Sequence, residues 1–347
     1  MAYTTINKST EHFNAKIYTG TGSSQSITGV GFQPDFTWIK QRSGVEQHVL
    51  FDAIRGVQKY IASNTTAAEA TTATTLTAFN SDGFTEGGHG MTGASGSTYA
   101  SWNWKANGAG SSNTDGSISS TVSANTTAGF SIVSYTGTGA NATVGHGLGS
   151  APGLIILKNL TTAGRNWEIL HHKNTAAPAT QQLEFGTDAT ATVTSQWNSV
   201  MPTNSVFSIG TNHSTNKSGD SFIAYCFAEK QGFSKFGSFV GNGNDDGTFV
   251  YTGFKPSFIL LKNTSISSSW LINDNKRPGY NPNSQTLVPN NNDAENTGTD
   301  RTDFLSNGFK LRVGASTAWN GSGNTIIYMA FAEAPLVGSN NVPCTAR

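Results

Sequence analysis

Charge is scarce in this 347-residue chain: Asp, Glu, Lys and Arg make up 12% of it, against roughly 25% in an ordinary soluble domain. The 21 basic and 21 acidic residues cancel. No basic excess exists to neutralise phosphates, so nucleic acid is not an expected partner. Cysteine is nearly absent, and Cys226 and Cys344 alone build no disulfide framework. Cys226 lies in an apolar run and reads as a small buried hydrophobe, Cys344 as a tail residue. No run of about 18 apolar residues occurs, which excludes a membrane-spanning helix. Met1 to Asn14 are polar and lack the apolar centre of a secretory signal. Assembly in a reducing cytoplasm is therefore expected. Polarity comes instead from Ser, Thr, Asn and 39 glycines, a composition of β-rich surface proteins.

What is present is repetition. Three segments open alike: Phe13-Asn-Ala-Lys-Ile-Tyr18-Thr-Gly20, Phe130-Ser-Ile-Val-Ser-Tyr135-Thr-Gly137 and Phe236-Gly-Ser-Phe-Val-Gly241. Each is followed by a Pro-led apolar run ending in lysine: Pro34 to Lys40, Pro152 to Lys158 and Pro256 to Lys262. Next come His48 to Asp52, Trp167 to His171 and Trp270 to Asp274. The closing runs end at Trp104, at Glu229 and at Glu333. The same landmarks in one order, three times, read as a tandem triplication.

The runs are short, rich in Ile, Val, Phe, Tyr and Trp, and bounded by turn dipeptides such as Asp82-Gly83, Asn242-Gly243 and Asn307-Gly308. The expected fold is all-β: three tandem β-sandwich, jelly-roll-like modules of about 100 residues each. Their bounds are 13–107, 130–231 and 236–335, after an N-terminal arm (1–12) and before a C-terminal tail (336–347). Residues 108–129 form a Gly/Ser/Thr tract, either a flexible linker or an extended strand on a neighbour. Leu154 to Leu157 and Phe258 to Leu261 are apolar on both faces. They read as central strands covered on both sides or strongly twisted.

No catalytic constellation stands out, and no enzymatic activity or cofactor is expected. Gly93-Ala-Ser-Gly-Ser97 lacks the closing glycine of a nucleophile elbow. His171 and His172 are strand neighbours that point to opposite faces, so they make a poor metal pair. Asn244-Asp-Asp-Gly247 lacks the spaced carboxylates of a calcium loop. Glu229 and Glu333 read as solvated strand ends. Lys40, Lys158 and Lys262, with Trp167, Trp270 and His48 on the next strand, suggest lysine stems set against rings, giving packing or a cation–π contact. The alternative is that these residues, with His171 and Asp274, form shallow glycan-contact or partner-contact clusters. Trp102 and Trp104 share one strand face and read as core or domain-interface residues.

The wording of several segments is itself informative. Met1-Ala-Tyr-Thr-Thr-Ile6, Gly31-Phe-Gln-Pro-Asp-Phe-Thr-Trp-Ile-Lys40, Ser101-Trp-Asn-Trp-Lys-Ala-Asn-Gly-Ala-Gly110, Ile223-Ala-Tyr-Cys-Phe-Ala-Glu229 and Lys235-Phe-Gly-Ser-Phe239 resemble virion structural proteins of marine bacteriophages, particularly cyanophages. That resemblance implies tandem β domains of the kind called tail-fibre-like or lectin-like. It also implies a virion location and contacts with other virion proteins, and it brings no catalytic or binding residues with it. The expectation is a tail fibre or appendage touching host glycans, homo-oligomeric and trimeric by analogy. A capsid decoration protein is the main alternative and a polysaccharide depolymerase the second.

Overall fold

The computed structural model describes residues 3–298, 302–314 and 317–335. Cys344 and the 336–347 tail lie outside the described residues. The first third of the chain holds β1 (Phe13–Thr19), β2 (Gln25–Ile27), β3 (Phe36–Gln41), β4 (Val49–Asp52), β5 (Lys59–Ala62), β6 (Ala70–Thr71), β7 (Leu76–Asn80), β8 (Gly83–Glu86) and β9 (Thr98–Trp104). The second holds β10 (Ser111–Asn113), β11 (Ser120–Asn125), β12 (Phe130–Thr136), β13 (Ala142–Gly145), β14 (Leu154–Asn159), β15 (Glu168–His171), β16 (Gln181–Gln182), β17 (Ala191–Thr192), β18 (Val206–Ile209) and β19 (Ser221–Phe227). The last holds β20 (Ser234–Val240), β21 (Phe249–Tyr251), β22 (Phe254–Asn263), β23 (Trp270–Asp274), β24 (Thr302–Leu305), β25 (Gly308–Leu311) and β26 (Thr325–Pro335).

The molecule is all-β and antiparallel, and one strand order recurs. It reads β1-β9-β3-β4, then β12-β19-β14-β15, then β20-β26-β22-β23. Smaller sheets, β2-β8-β7, β13-β18 and β21-β25-β24, accompany them. One face of each main sheet packs on its small sheet. Ile39, Phe51 and Tyr99 meet Ile27, Leu76 and Phe84. Ile155, Leu157 and Ala224 meet Val144, Phe207 and Ile209. Ile259, Leu261 and Tyr328 meet Val250, Phe309 and Leu311. These layers are β-sandwiches.

The opposite faces of all three main sheets meet in a shared core. Side chains alternate along a strand, so Phe36 and Trp38, Leu154 and Ile156, and Phe258 and Leu260 point away from their own small sheets into that common cluster. Residues at matching places on the three closing strands come together there. The ring centroids of Trp104, Phe227 and Phe331 lie 5.6 to 6.2 Å apart, pair by pair. Every residue of β3 and β14 is buried as a result. The apolar runs are covered on both sides. At about 1.5–3 kcal/mol for each large side chain removed from water, this core is a major stabilising term.

Two features differ from beads on a string. The 108–129 tract is no free tether: β10 and β11 extend the second main sheet as β10-β11-β12, with Gly129 at φ +70° closing the turn. A Cβ there would meet the Ala228 carbonyl oxygen at 2.2 Å, so only glycine fits. The N-terminal arm crosses to the last third, where the Tyr3 hydroxyl donates to the Gly253 carbonyl at 3.0 Å and Ile6 enters the shared core. First and last thirds, joined by no direct linker, are thus closed against each other.

Candidate functional site

The sequence-selected residues all lie at the joints between the three sheets. Lys40, Lys158, Lys262 and His48 have no exposed surface, and Trp167, Trp270, His171 and Asp274 keep at most 2% of theirs. This corrects the expectation of shallow glycan-contact clusters: no sugar reaches a buried side chain. Cation–π contact is corrected too. The ammonium groups point at carbonyls rather than ring faces. Lys40 Nζ donates to the Gln41 and Gly44 carbonyls and to Asn292 of the last third at 3.3 Å. Lys158 donates to Arg165 and, at 3.3 Å, to Thr66 of the first third. Lys262 donates to Ser268 and, at 3.1 Å, to Thr187 of the middle third.

Each lysine therefore ties its own loop to the loop of a neighbour, and the direction runs cyclically around the molecule. Burial disfavours the charged form and pushes all three ammonium groups down to about 8. The tryptophans follow the same direction. Trp167 Nε1 donates to the Ala62 carbonyl at 2.9 Å, and Trp270 Nε1 to the Glu184 carbonyl at 2.6 Å. At the matching place His48 accepts the Trp38 indole N–H at Nδ1, 3.2 Å away. Burial, then Lys40 and Arg277, hold the His48 ring neutral, well below the ordinary histidine range.

In a second set the sequence singled out Asp274 and His171 but not their partners, although a spacing marks it: Asp52-x-x-Arg55 and Asp274-x-x-Arg277. Asp52 Oδ2 takes the Arg55 guanidinium at 2.5 Å and the hydroxyl of Tyr225, from the middle third, at 2.8 Å. Asp274 Oδ2 takes Arg277 at 2.7 Å and the indole N–H of Trp102, from the first third, at 3.0 Å. Burial works against both guanidinium groups, but the adjoining carboxylates outweigh it and hold them above the ordinary arginine value. In the middle third the motif reads His171-x-x-Asn174. There the position matching Trp102 and Tyr225 is Met329, which has no proton to donate, and His171 Nε2 instead meets the Tyr328 carbonyl at 3.0 Å. Where the acid is missing, the donor is missing as well. Burial pushes His171 down to about 3.

Glu295 completes the joint between last and first thirds. It receives Arg42 at 2.8 Å and Arg277 at 2.9 Å. Of the carboxylates expected at strand ends, Glu229 accepts the Phe236 amide at 2.7 Å and Glu333 pairs with Lys255. In the Asn244–Gly247 turn, Asp245 accepts the Gly314 amide and Asp246 pairs with Lys310. The neighbouring His172 Nε2 meets the Phe236 carbonyl at 2.6 Å. Among the described residues no three His, Cys, Asp or Glu side chains gather to hold a metal ion, and no helix is long and apolar enough to cross a membrane. Open grooves are shallow. One of about 280 Å³ runs beside Pro152, His172, Met201 and Glu229.

No curated protein matches the chain. Residues 8–335 match a domain of unknown function, DUF7483, and that match runs across all three main sheets as one unit. The chain belongs to the DUF7483 family.

Proposed function

We propose that this protein is a non-enzymatic building block of a tailed-phage particle, holding a surface position through contacts with other virion proteins. One observation carries this reading: its buried ionisable groups are spent on joining its own sheets, as with Asp52 between Arg55 and Tyr225. Such groups cost free energy to bury and are retained for register. Asp52 is fully buried, which argues against a role for it as a depolymerase carboxylate. The polar Thr/Ser/Asn surface and the wording shared with virion structural proteins support the same reading.

Closure around a common core favours a decoration role on the capsid over a reaching fibre, because the repeats do not add length. The test is mass spectrometry of purified particles, with the chain counted per particle. Hundreds of copies support a shell position and tens a tail position. Absence from the particle overturns the proposal.

A further inference from the structure

The three opening strands are equivalent in the fold and unequal in how their outer edges are covered. In the middle third, β11 pairs antiparallel with β12, with Ser123 opposite Ile132 and Thr121 opposite Ser134. In the last third, side chains cap β20: Glu229 accepts the Phe236 amide, His172 meets the Phe236 carbonyl, and the Thr248 hydroxyl donates to the Val240 carbonyl. In the first third no described strand pairs with the outer edge of β1, and Gly29 and Lys276 lie beside it.

Register shows which groups are left over. Lys105 N donates to the His12 carbonyl and Gly20 N to the Ser97 carbonyl. The bonded pairs of an antiparallel ladder alternate, so Asn14, Lys16 and Tyr18 bond to β9, while Ala15 and Ile17 turn their N–H and C=O outward. No other described element takes those groups. Ala15 is nonetheless 3% exposed, and a buried backbone pair without partners is rare. A groove of about 130 Å³ runs along this edge, lined by Asn14, Ala15, Lys16, Ile17, Gly29 and Lys276. Ile17 lies 43% exposed beside it.

The reason for the vacancy lies in the preceding chain. Before β12 the backbone turns at Gly129 and folds back as β11. Before β1 it makes a 3-10 turn at Ser9–Glu11 and departs to the last third, where Tyr3 is anchored.

We propose that the β1 edge is a docking slot for an extended strand of another polypeptide, added antiparallel as β11 is added to β12. Main-chain hydrogen bonds to Ala15 and Ile17 supply the affinity, as in strand addition generally. The β11 sequence Ser120-Thr-Val-Ser-Ala-Asn125 shows the side chains the equivalent slot accepts: small, partly polar and without proline. Lys16 and Lys276 along the groove add a preference for a carboxylate on the incoming strand. They also disfavour a second copy presenting its own β1, which would bring like charges together.

The test uses the full chain and a labelled peptide of residues 117–126, both unchanged and carrying Ser123→Asp, whose side chain falls opposite Ala15. Binding is read by fluorescence polarisation, and amide exchange by mass spectrometry. In the free chain the Ala15 and Ile17 amides should exchange at least about a hundredfold faster than those of Ile132 and Ser134, and the peptide should protect them. Ile17→Pro removes an outward N–H that β9 does not use, a position where an edge strand tolerates proline. It should leave the melting temperature unchanged within about 2 °C and weaken the peptide at least about tenfold. Equal protection of β1 and β12 in the free chain overturns the proposal. So does absence of peptide binding at millimolar concentration, or binding that Ile17→Pro leaves intact. Self-association that Ile17→Pro abolishes would assign the slot to a second copy and equally overturn it.

Discussion

The Tyr225 hydroxyl donates to Asp52 Oδ2 at 2.8 Å, on the oxygen that also receives Arg55, so a side chain of the middle sheet completes a buried ion pair of the first. Tyr225→Phe should cost about 1.5–3 kcal/mol, the loss of one hydrogen bond to a charged group. Asp52→Asn should cost more, about 3–5 kcal/mol, because Arg55 is left buried without its counter-charge. Chemical denaturation of both variants and of the double variant checks this. Less than additive loss is expected, since the two residues share one network.

Glu168 gives a pH dependence with a definite sign. Burial, with Glu184 nearby, pushes its carboxyl from the ordinary 4.5 up to about 8. Between those values the folded state holds a proton that the unfolded chain releases, so this group's contribution to stability falls as pH rises. Glu168→Gln should therefore be the more stable protein at pH 8, by about 1–3 kcal/mol, and the advantage should shrink towards pH 5. Melting temperatures across that range measure it.

Lys158 is expected to act in the opposite direction at higher pH. Its folded value is pushed down to about 8 from 10.5. Across that window the unfolded chain binds the extra proton, and stability rises with pH. Compared with Lys158→Met, the natural chain should gain up to about 1.4 kcal/mol per pH unit between 8 and 10.5. Parallel titrations of unfolding for the two proteins supply the comparison.

Much of the fold was legible because it is local. Pro-led runs such as Leu154 to Leu157 carry apolar residues at odd and even places alike, which announces two covered faces. The joints were not legible. Lys158 reaching Thr66, or Trp102 reaching Asp274, spans more than ninety residues, and nothing in either segment states its partner. The glycan expectation failed for that reason: Trp167 and Trp270 resemble exposed sugar platforms until a neighbouring sheet lies on them. The Asp-x-x-Arg spacing was readable, and its replacement by His171-x-x-Asn174 together with Met329 would have pointed to a link between copies. The 108–129 tract reads as linker by composition, yet Ser and Thr serve well on a strand whose partner is already in place.

The central claim is that three sheets share one core and stand or fall together. Differential scanning calorimetry of the full chain tests it most directly, with Trp104→Ala alongside. One transition is expected for each protein, with equal calorimetric and van't Hoff enthalpies and a uniformly lowered midpoint in the variant. Separate transitions, or a variant in which only the first third melts early, would contradict it.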